Sequence, residues 1–188
     1  MAMALAVGSL GGTPIMAETE PLHARRALAE VVALMAAAKA SGKLRVARKT
    51  GPVDARPARV GEIVVTTIKG EGKETQSRPA LQGDWVVRNR CPETGNEEYL
   101  VSADKFAGRY EATGSPAGQD GWQEFRPVGT EVRVLILGPG DGPFSFTAPW
   151  GEDMVARPGD AIVQDLEDEN DVYRVARASF ECTYERLP

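Results

Sequence analysis

The chain is poor in the residues that most often announce a chemistry. Its 188 residues include two cysteines and one histidine. Cys91 and Cys182 belong to no Cys-x-x-Cys or Cys/His cluster and are too few for a disulfide framework. That usage predicts a reducing, cytoplasmic setting. Cys91, ahead of a proline in a loop, is the candidate reactive thiol, although no His or Lys stands nearby in sequence to activate it, and Cys182, on a short helix, is read as buried. The lone His23 excludes a multi-histidine metal centre and leaves the rest of the chain without a histidine for a Ser or Cys triad. No run of about 18 apolar residues is free of charge, so no membrane-spanning helix is expected. The opening MAMALAVGSLGGTPIMA lacks a basic start and is broken at Gly8 and Gly11-Gly12. It therefore reads as a disordered terminus over 1–19 rather than an export signal, with Met16 as a second candidate start.

What is present is unevenly placed. The net charge of −5 divides into −2 over residues 1–20, +7 over 21–60 and −10 over 61–188. Residues 20–41 carry the one long helical signal: Pro21 suits a first turn, Leu28, Val31, Val32 and Met35 recur at helical spacing, and Gly42 suits the position after the helix. Residues 43–61 mix Gly, Pro and basic residues, the pattern of a linker or an irregular edge strand. Short β-type runs follow at 63–68, 85–88, 99–101, 132–137, 144–147, 162–164 and 172–175, separated by turn signals. The expected division is thus 1–19, a helix and basic linker over 20–60, and a mainly β body over 61–188.

An internal repeat organises that body. Gly83-Asp84-Trp85-Val86-Val87 returns 76 residues later as Gly159-Asp160-Ala161-Ile162-Val163. Tyr99, Val101, Phe106, Tyr110 and Glu111 return 74 residues later as Tyr173, Val175, Phe180, Tyr184 and Glu185. The change of offset falls in a hairpin turn, where length varies freely. Each copy, about 80–111 and 155–185, translates into a β-β-α unit whose helix places Phe and Tyr four apart on one face. The fold class is α+β, mainly β: an N-terminal helix and a body built from a duplicated unit. The Pro158-Gly159-Asp160 turn and the Phe…Tyr-Glu ending resemble the uncharacterised bacterial and phage family named for a P-G-D-Y-G motif. Gln82 replaces the proline in the first copy, and the motif's Tyr and Gly become Trp85-Val86 and Ala161-Ile162. The resemblance covers about a third of the chain and implies no activity.

Asp84 and Asp160 are the acidic candidates, since two related carboxylates can share a proton or hold a cation. A turn-capping role accounts for both without chemistry. The acidic run from Asp165 to Asp171 lacks the glycine and terminal Glu of an EF-hand, and Gly138–Pro143 lacks the Lys-Ser/Thr of a P-loop. Both read as turns, and no metal site or cofactor is assigned. Trp85, Tyr99, Trp150 and Tyr173 are the candidate walls of a groove between the copies, with Asp84 and Asp160 as its polar groups. Lys43, Arg45, Arg48, Lys49, Arg56 and Arg59 form a basic contact arm. On the −10 body they suit an acidic partner surface, its own or a neighbour's, better than nucleic acid. The preferred function is a non-enzymatic binding protein for a small molecule or protein. The alternatives are a hydrolase or nucleotide-modifying enzyme using Asp84 and Asp160, with or without a divalent cation, and an oligomeric or phage-like structural component joined through residues 20–60.

Overall fold

The computed structural model describes residues 24–118, 120–128 and 131–188. The disordered terminus expected over 1–19, and residues 20–23 of the expected helix, lie outside them. The chain enters on a short strand β1 (Ala24–Arg25), where the sequence predicted helix, and then forms α1 (Leu28–Ala40). The Glu30 carboxylate accepts the Ala27 N–H at 2.6 Å, and Gly42 at φ +68° lets Lys43 N–H return to Ala38 O at the other end. Val31, Met35 and Ala38, at i, i+4 and i+7, are the buried stripe of α1.

The body runs β2 (Arg45–Lys49), β3 (Val53–Pro57), β4 (Val65–Ile68), β5 (Gly72–Gln76), β6 (Trp85–Asn89), β7 (Glu98–Val101), α2 (Ala103–Arg109) and β8 (Tyr110–Ala112). It continues with β9 (Gln123–Pro127), β10 (Glu131–Ile136), β11 (Phe144–Thr147), β12 (Asp153–Ala156), β13 (Ala161–Asp165), β14 (Val172–Val175), α3 (Arg177–Thr183) and β15 (Tyr184–Arg186). The protein is therefore α+β and mainly β. No helix among the described residues is long and apolar enough to cross a membrane.

Two five-stranded antiparallel sheets form the frame. The first has the order β7-β6-β3-β9-β8 and the second β14-β13-β10-β2-β15. β2, which directly precedes β3 in the chain, lies in the second sheet between β10 and β15; β9, which directly precedes β10, lies in the first between β3 and β8. Each half thus lends a strand to the other. The crossings are fastened alike: Thr50 N–H donates to Thr183 O at the end of α3, and Val128 N–H to Arg109 O at the end of α2.

This arrangement corrects the reading of residues 43–61. They are not a linker, and the body does not begin at Gly61. In β3 the alternation is regular, with Val53 and Ala55 fully buried while Asp54 and Arg56 face outward to Arg90 and Glu62. In β2 only Ala47 is buried. Gly51 and Pro52, read as breakers within a linker, mark the crossing from one sheet to the other. Both strands are paired on both sides, so neither offers a free edge for strand addition.

Corresponding cores lie under α2 and α3. The first holds Val53, Ala55, Val87, Phe106 and Phe125, with Trp85 packed against it; the second holds Val132, Val134, Ala161, Val163, Ala47 and Phe180. Trp85 stacks on Phe106 at 4.2 Å between ring centroids and meets Phe125 edge-on at 5.4 Å. A third core seats α1 against Phe144, Phe146, Met154 and Ile162.

Cys91 and Cys182 form a disulfide with a Cα–Cα distance of 6.1 Å, tying the turn after β6 to α3 across a separation of 91 residues. The expectation of two unjoined thiols is overturned, and with it the compartment argument that rested on them. Cys182, expected to be buried, is exposed, and Cys91 is fully buried. In a chain-entropy account a loop of this length is worth about 4–5 kcal/mol.

Removal of residues before Gly61 takes one interior strand from each sheet. Such a truncated chain is expected to show no cooperative thermal transition by circular dichroism. A melt like that of the full chain would contradict the strand exchange.

Candidate functional site

Each Gly-Asp turn is built by the same bonds. Asp84, buried, accepts the Leu81 N–H at 2.8 Å and the Ala103 N–H at the start of α2, and pairs with Arg78 at 2.7 Å. Asp160, equally buried, accepts the Arg157 N–H at 2.8 Å and the Arg177 N–H at the start of α3 at 3.1 Å. Gly83 and Gly159 sit at φ +89° and +94°, where a Cβ would be strained and would stand 3.2 Å from Ala103 or Arg177. Burial pushes the Asp84 carboxyl up, but Arg78 and the two N–H donors outweigh it and hold it below the usual range. Each carboxylate closes its own turn, Asp160 also pairs with Arg174 of β14, and the two share no hydrogen-bond or ion-pair partner among the described residues.

The turns deliver β6 and β13 into their hairpins, and the hairpins deliver tyrosines. Tyr99 on β7 and Tyr110 at the start of β8 meet hydroxyl to hydroxyl at 3.1 Å, and Tyr173 and Tyr184 do so at 3.4 Å. All four line one cavity of about 250 Å³, with walls from both halves of the chain. Lys49, from the exchanged strand β2, reaches in to donate to the Tyr99 hydroxyl at 2.6 Å and to Asn89 Oδ1 at 2.8 Å. Asn89 Nδ2 in turn donates to Glu97 Oε1 at 2.7 Å. Burial pushes the Glu97 carboxyl up, yet Thr94 and Asn89 hydrogen bonds hold it below its ordinary value.

Burial raises Tyr99 well above the usual phenol range, with Tyr110 adding to it, and burial together with Tyr173 does the same for Tyr184. Tyr173 is raised by burial, against the pull of Arg109. These hydroxyls are neutral hydrogen-bond donors at any physiological pH, not phenolate nucleophiles. Trp150, about 36% exposed, leans on Tyr173 with centroids 5.6 Å apart, and Lys105 Nζ lies 5.1 Å from its ring centroid. Lys105 and Arg109 are both paired with Asp171, at 2.9 and 3.0 Å.

One wall is a buried ion cluster. Arg174, with a side chain 1% exposed, donates to Asp160 at 2.8 Å, to Glu71 at 2.9 Å and to Glu74. Asp160 and Glu74 are enclosed with the guanidinium, while Glu71 is partly exposed and also lies near Arg157. Burial pushes the Glu74 carboxyl up to about 7, although Arg174 opposes it.

Of the sequence candidates, Tyr99, Tyr173 and Trp150 come together at the cavity, whereas Trp85 lies in the core beneath α2 and does not line it. The basic arm is dispersed. Lys49 enters the cavity, Arg48 pairs with Glu131 at 2.7 Å, Arg56 pairs with Glu62, Arg45 bonds backbone carbonyls, and Lys43 and Arg59 are exposed. Sequence reasoning passed over Asn89, Arg109, Glu74 and Arg174. The 74-residue offset that pairs Tyr99 with Tyr173 and Tyr110 with Tyr184 was the signal for the quartet. Among the described residues, the group close enough to share a metal ion is Cys91, Glu93 and Cys182, none of which lines the cavity. Comparison with known proteins finds no matching family model, no matching curated protein and no matching solved structure.

With a carboxyl value near 7 in the fold against 4.5 ordinarily, Glu74 binds more protons folded than unfolded between those values. Its contribution to stability is full below about 4.5, falls as pH rises toward 7 and is level above. Urea unfolding across this range is expected to show that fall in the native chain and a flatter profile in Glu74→Gln. Parallel profiles would contradict the assignment.

Proposed function

We propose that the protein binds a small molecule in the cavity between its two sheets, and that it acts by binding rather than by catalysis. The observation that carries this reading is the convergence of four tyrosine hydroxyls and Lys49 on one cavity walled by both halves. Neutral hydroxyls donate, and the ammonium supplies positive charge. The ligand class is therefore a compact compound with an anionic or strongly accepting end and an apolar or aromatic body that rests on Trp150. At about 250 Å³ the space is just below the roughly 300–1,000 Å³ of sites for drug-sized molecules. Raised values at Tyr99, Tyr173 and Tyr184, and Asp84 and Asp160 carboxylates already held by backbone N–H groups and arginines, favour binding over acid-base work. The matching sheet orders and the sequence offsets support descent of the two halves from one duplicated β-β-α unit. The resemblance of the Pro158-Gly159-Asp160 turn to the P-G-D-Y-G family belongs to the same reading.

The test is a thermal-shift screen of the full chain against small aromatic and aliphatic carboxylates, phosphates and their uncharged amides, followed by calorimetry. Charged members are expected to stabilise the protein and the amides to do so less. Lys49→Met should weaken binding about 10- to 150-fold, the worth of a charge-assisted hydrogen bond, and Tyr99→Phe about 2- to 10-fold. Equal affinity in native and Lys49→Met chains would remove the reading.

A further inference from the structure

Cys91, Glu93 and Cys182 make a second assembly that the cavity does not use. Cys91 and Glu93 stand two apart on one turn, and that turn is rigidly closed. Cys91 O accepts the N–H groups of Thr94 at 3.1 Å and Asn96 at 2.9 Å, and the Thr94 hydroxyl at 3.0 Å. Gly95 and Asn96 follow at φ +84° and +56°, a left-handed pair that turns the chain back. Cys182 is brought to the turn by α3 from the other half. The Glu93 carboxylate then lies against both sulfurs, its Oε2 being 3.5 Å from Cys91 Sγ and 3.6 Å from Cys182 Sγ.

That placement has no attraction to offer the disulfide. Neither joined sulfur carries a proton, so the carboxylate faces sulfur lone pairs with nothing to accept. It becomes favourable once the sulfurs are separate thiols, which can donate to it, or thiolates sharing a cation with it. One ligand atom from each of the three residues lies within 4.8 Å of the others. Two thiolates and a carboxylate are the donor set of a borderline-soft divalent ion of the zinc class, and an alkaline-earth ion would want oxygen throughout. Cys182 and Glu93 are exposed while Cys91 is buried, so the ion would be held from one side and keep a fourth position open to water.

We propose that Cys91, Cys182 and Glu93 form a redox-gated binding site for a zinc-class divalent metal ion. In the oxidised state the sulfurs are bonded to each other and the site is closed. A dithiol reductant opens it: the Cys91–Cys182 S–S bond breaks, two electrons and two protons from the reductant give two S–H groups, and the reductant closes its own disulfide. The metal ion then takes both sulfurs and the Glu93 carboxylate, and the two thiol protons pass to solvent. Cys182 is the sulfur that solvent reaches, so exchange begins there.

The probe is Co²⁺, added to the full chain before and after reduction and removal of the reductant. The reduced protein, with its near-ultraviolet circular dichroism retained, is expected to take one Co²⁺ with a thiolate-to-metal charge-transfer band. The oxidised protein should show none. Glu93→Gln leaves the disulfide and its fold intact and should weaken the reduced site by at least about tenfold, the lower end of what even an outer partner of a metal is worth. Cys91→Ser should abolish the band. Absence of the band from the reduced native chain overturns the proposal. So do equal uptake by both redox states, an unaltered affinity in Glu93→Gln, a disulfide that resists dithiol in the folded protein, or a reduced chain that has lost its native dichroism.

Discussion

Everything in this structure depends on the exchange of one strand in each direction. β2 fills the second sheet between β10 and β15, and β9 fills the first between β3 and β8. A five-stranded sheet missing an interior strand exposes two rows of unpaired backbone groups and half its core, and neither half can avoid that alone. The exchange therefore makes the halves a single cooperative body. The core residues carried by the exchanged strands are matched to their hosts. β9 brings Phe125, opposite Val53, to a core that also holds Ala55, while β2 brings Ala47, opposite Val132, to one that also holds Val134. Trp85 in the first core corresponds to Ala161 in the second. Bulk is redistributed between layers, as close packing demands.

The cavity is a consequence of the same constraint. Because the strands cross, the ends of both hairpins and the starts of β8 and β15 are drawn to one place, and each supplies a tyrosine. A phenol suits such a place, since its ring completes the core and its hydroxyl finds a partner at the boundary. Phe106 stacks on Tyr110 and Phe180 on Tyr184 with the same 5.1 Å centroid separation, so each short helix fixes one ring of each pair. The disulfide acts in the same region: Cys91 stands two residues beyond Asn89, and Cys182 two before Tyr184, both lining residues. The buried charges nearby are tolerable because each has a partner. Arg174 has three carboxylates, and the enclosed Glu74 is raised.

The sequence made the repeated part legible and obscured the exchanged part. Tyr, Phe and Asp at fixed offsets identified the hairpins, both short helices and both capping turns, since those residues are held by local bonds whose spacing survives in the chain. The strands at 144–147 and 172–175 have the bounds expected of their apolar runs. β2 and β3 have the pattern of a linker or an irregular edge strand because arginines and lysines occupy their outer positions and Gly51-Pro52 stands between them. A strand whose inward residues are Ala and Val, and whose outward charges are neutralised by distant segments, shows little hydrophobic contrast. The place of β2 is set by pairing with β10 and β15, and that of β3 in part by pairing with β9, all far along the chain, which no local pattern encodes. The disulfide was equally hidden, because proximity of Cys91 and Cys182 is a product of the exchange. Of the site, the tyrosines were visible in the repeat, but Arg109 and Asn89 have no counterpart of their own kind and left no periodic trace.

That missing correspondence bears on how the cavity is used. The hydroxyls are arranged in like pairs, yet the charges are not. At the position equivalent to Lys49 the other exchanged strand has Pro127, and at the position equivalent to Arg109 the other helix ends in Thr183; all four line the cavity. At these two positions positive charge enters from one half only; Arg78, Lys105 and Arg174, which also line the cavity, are paired with Asp84, Asp171 and Asp160. Arg109 is already occupied by Asp171, whereas Lys49 is held by neutral groups, the Tyr99 hydroxyl and the Asn89 amide oxygen. On the proposed reading, a ligand with one anionic end would meet hydroxyls arranged in like pairs and one ammonium, Lys49, that has no carboxylate partner among the described residues. With Lys49 and Arg109 on one side and Pro127 and Thr183 on the other, hydroxyls in like pairs sit in an unequally charged cavity, which on that reading would orient a ligand.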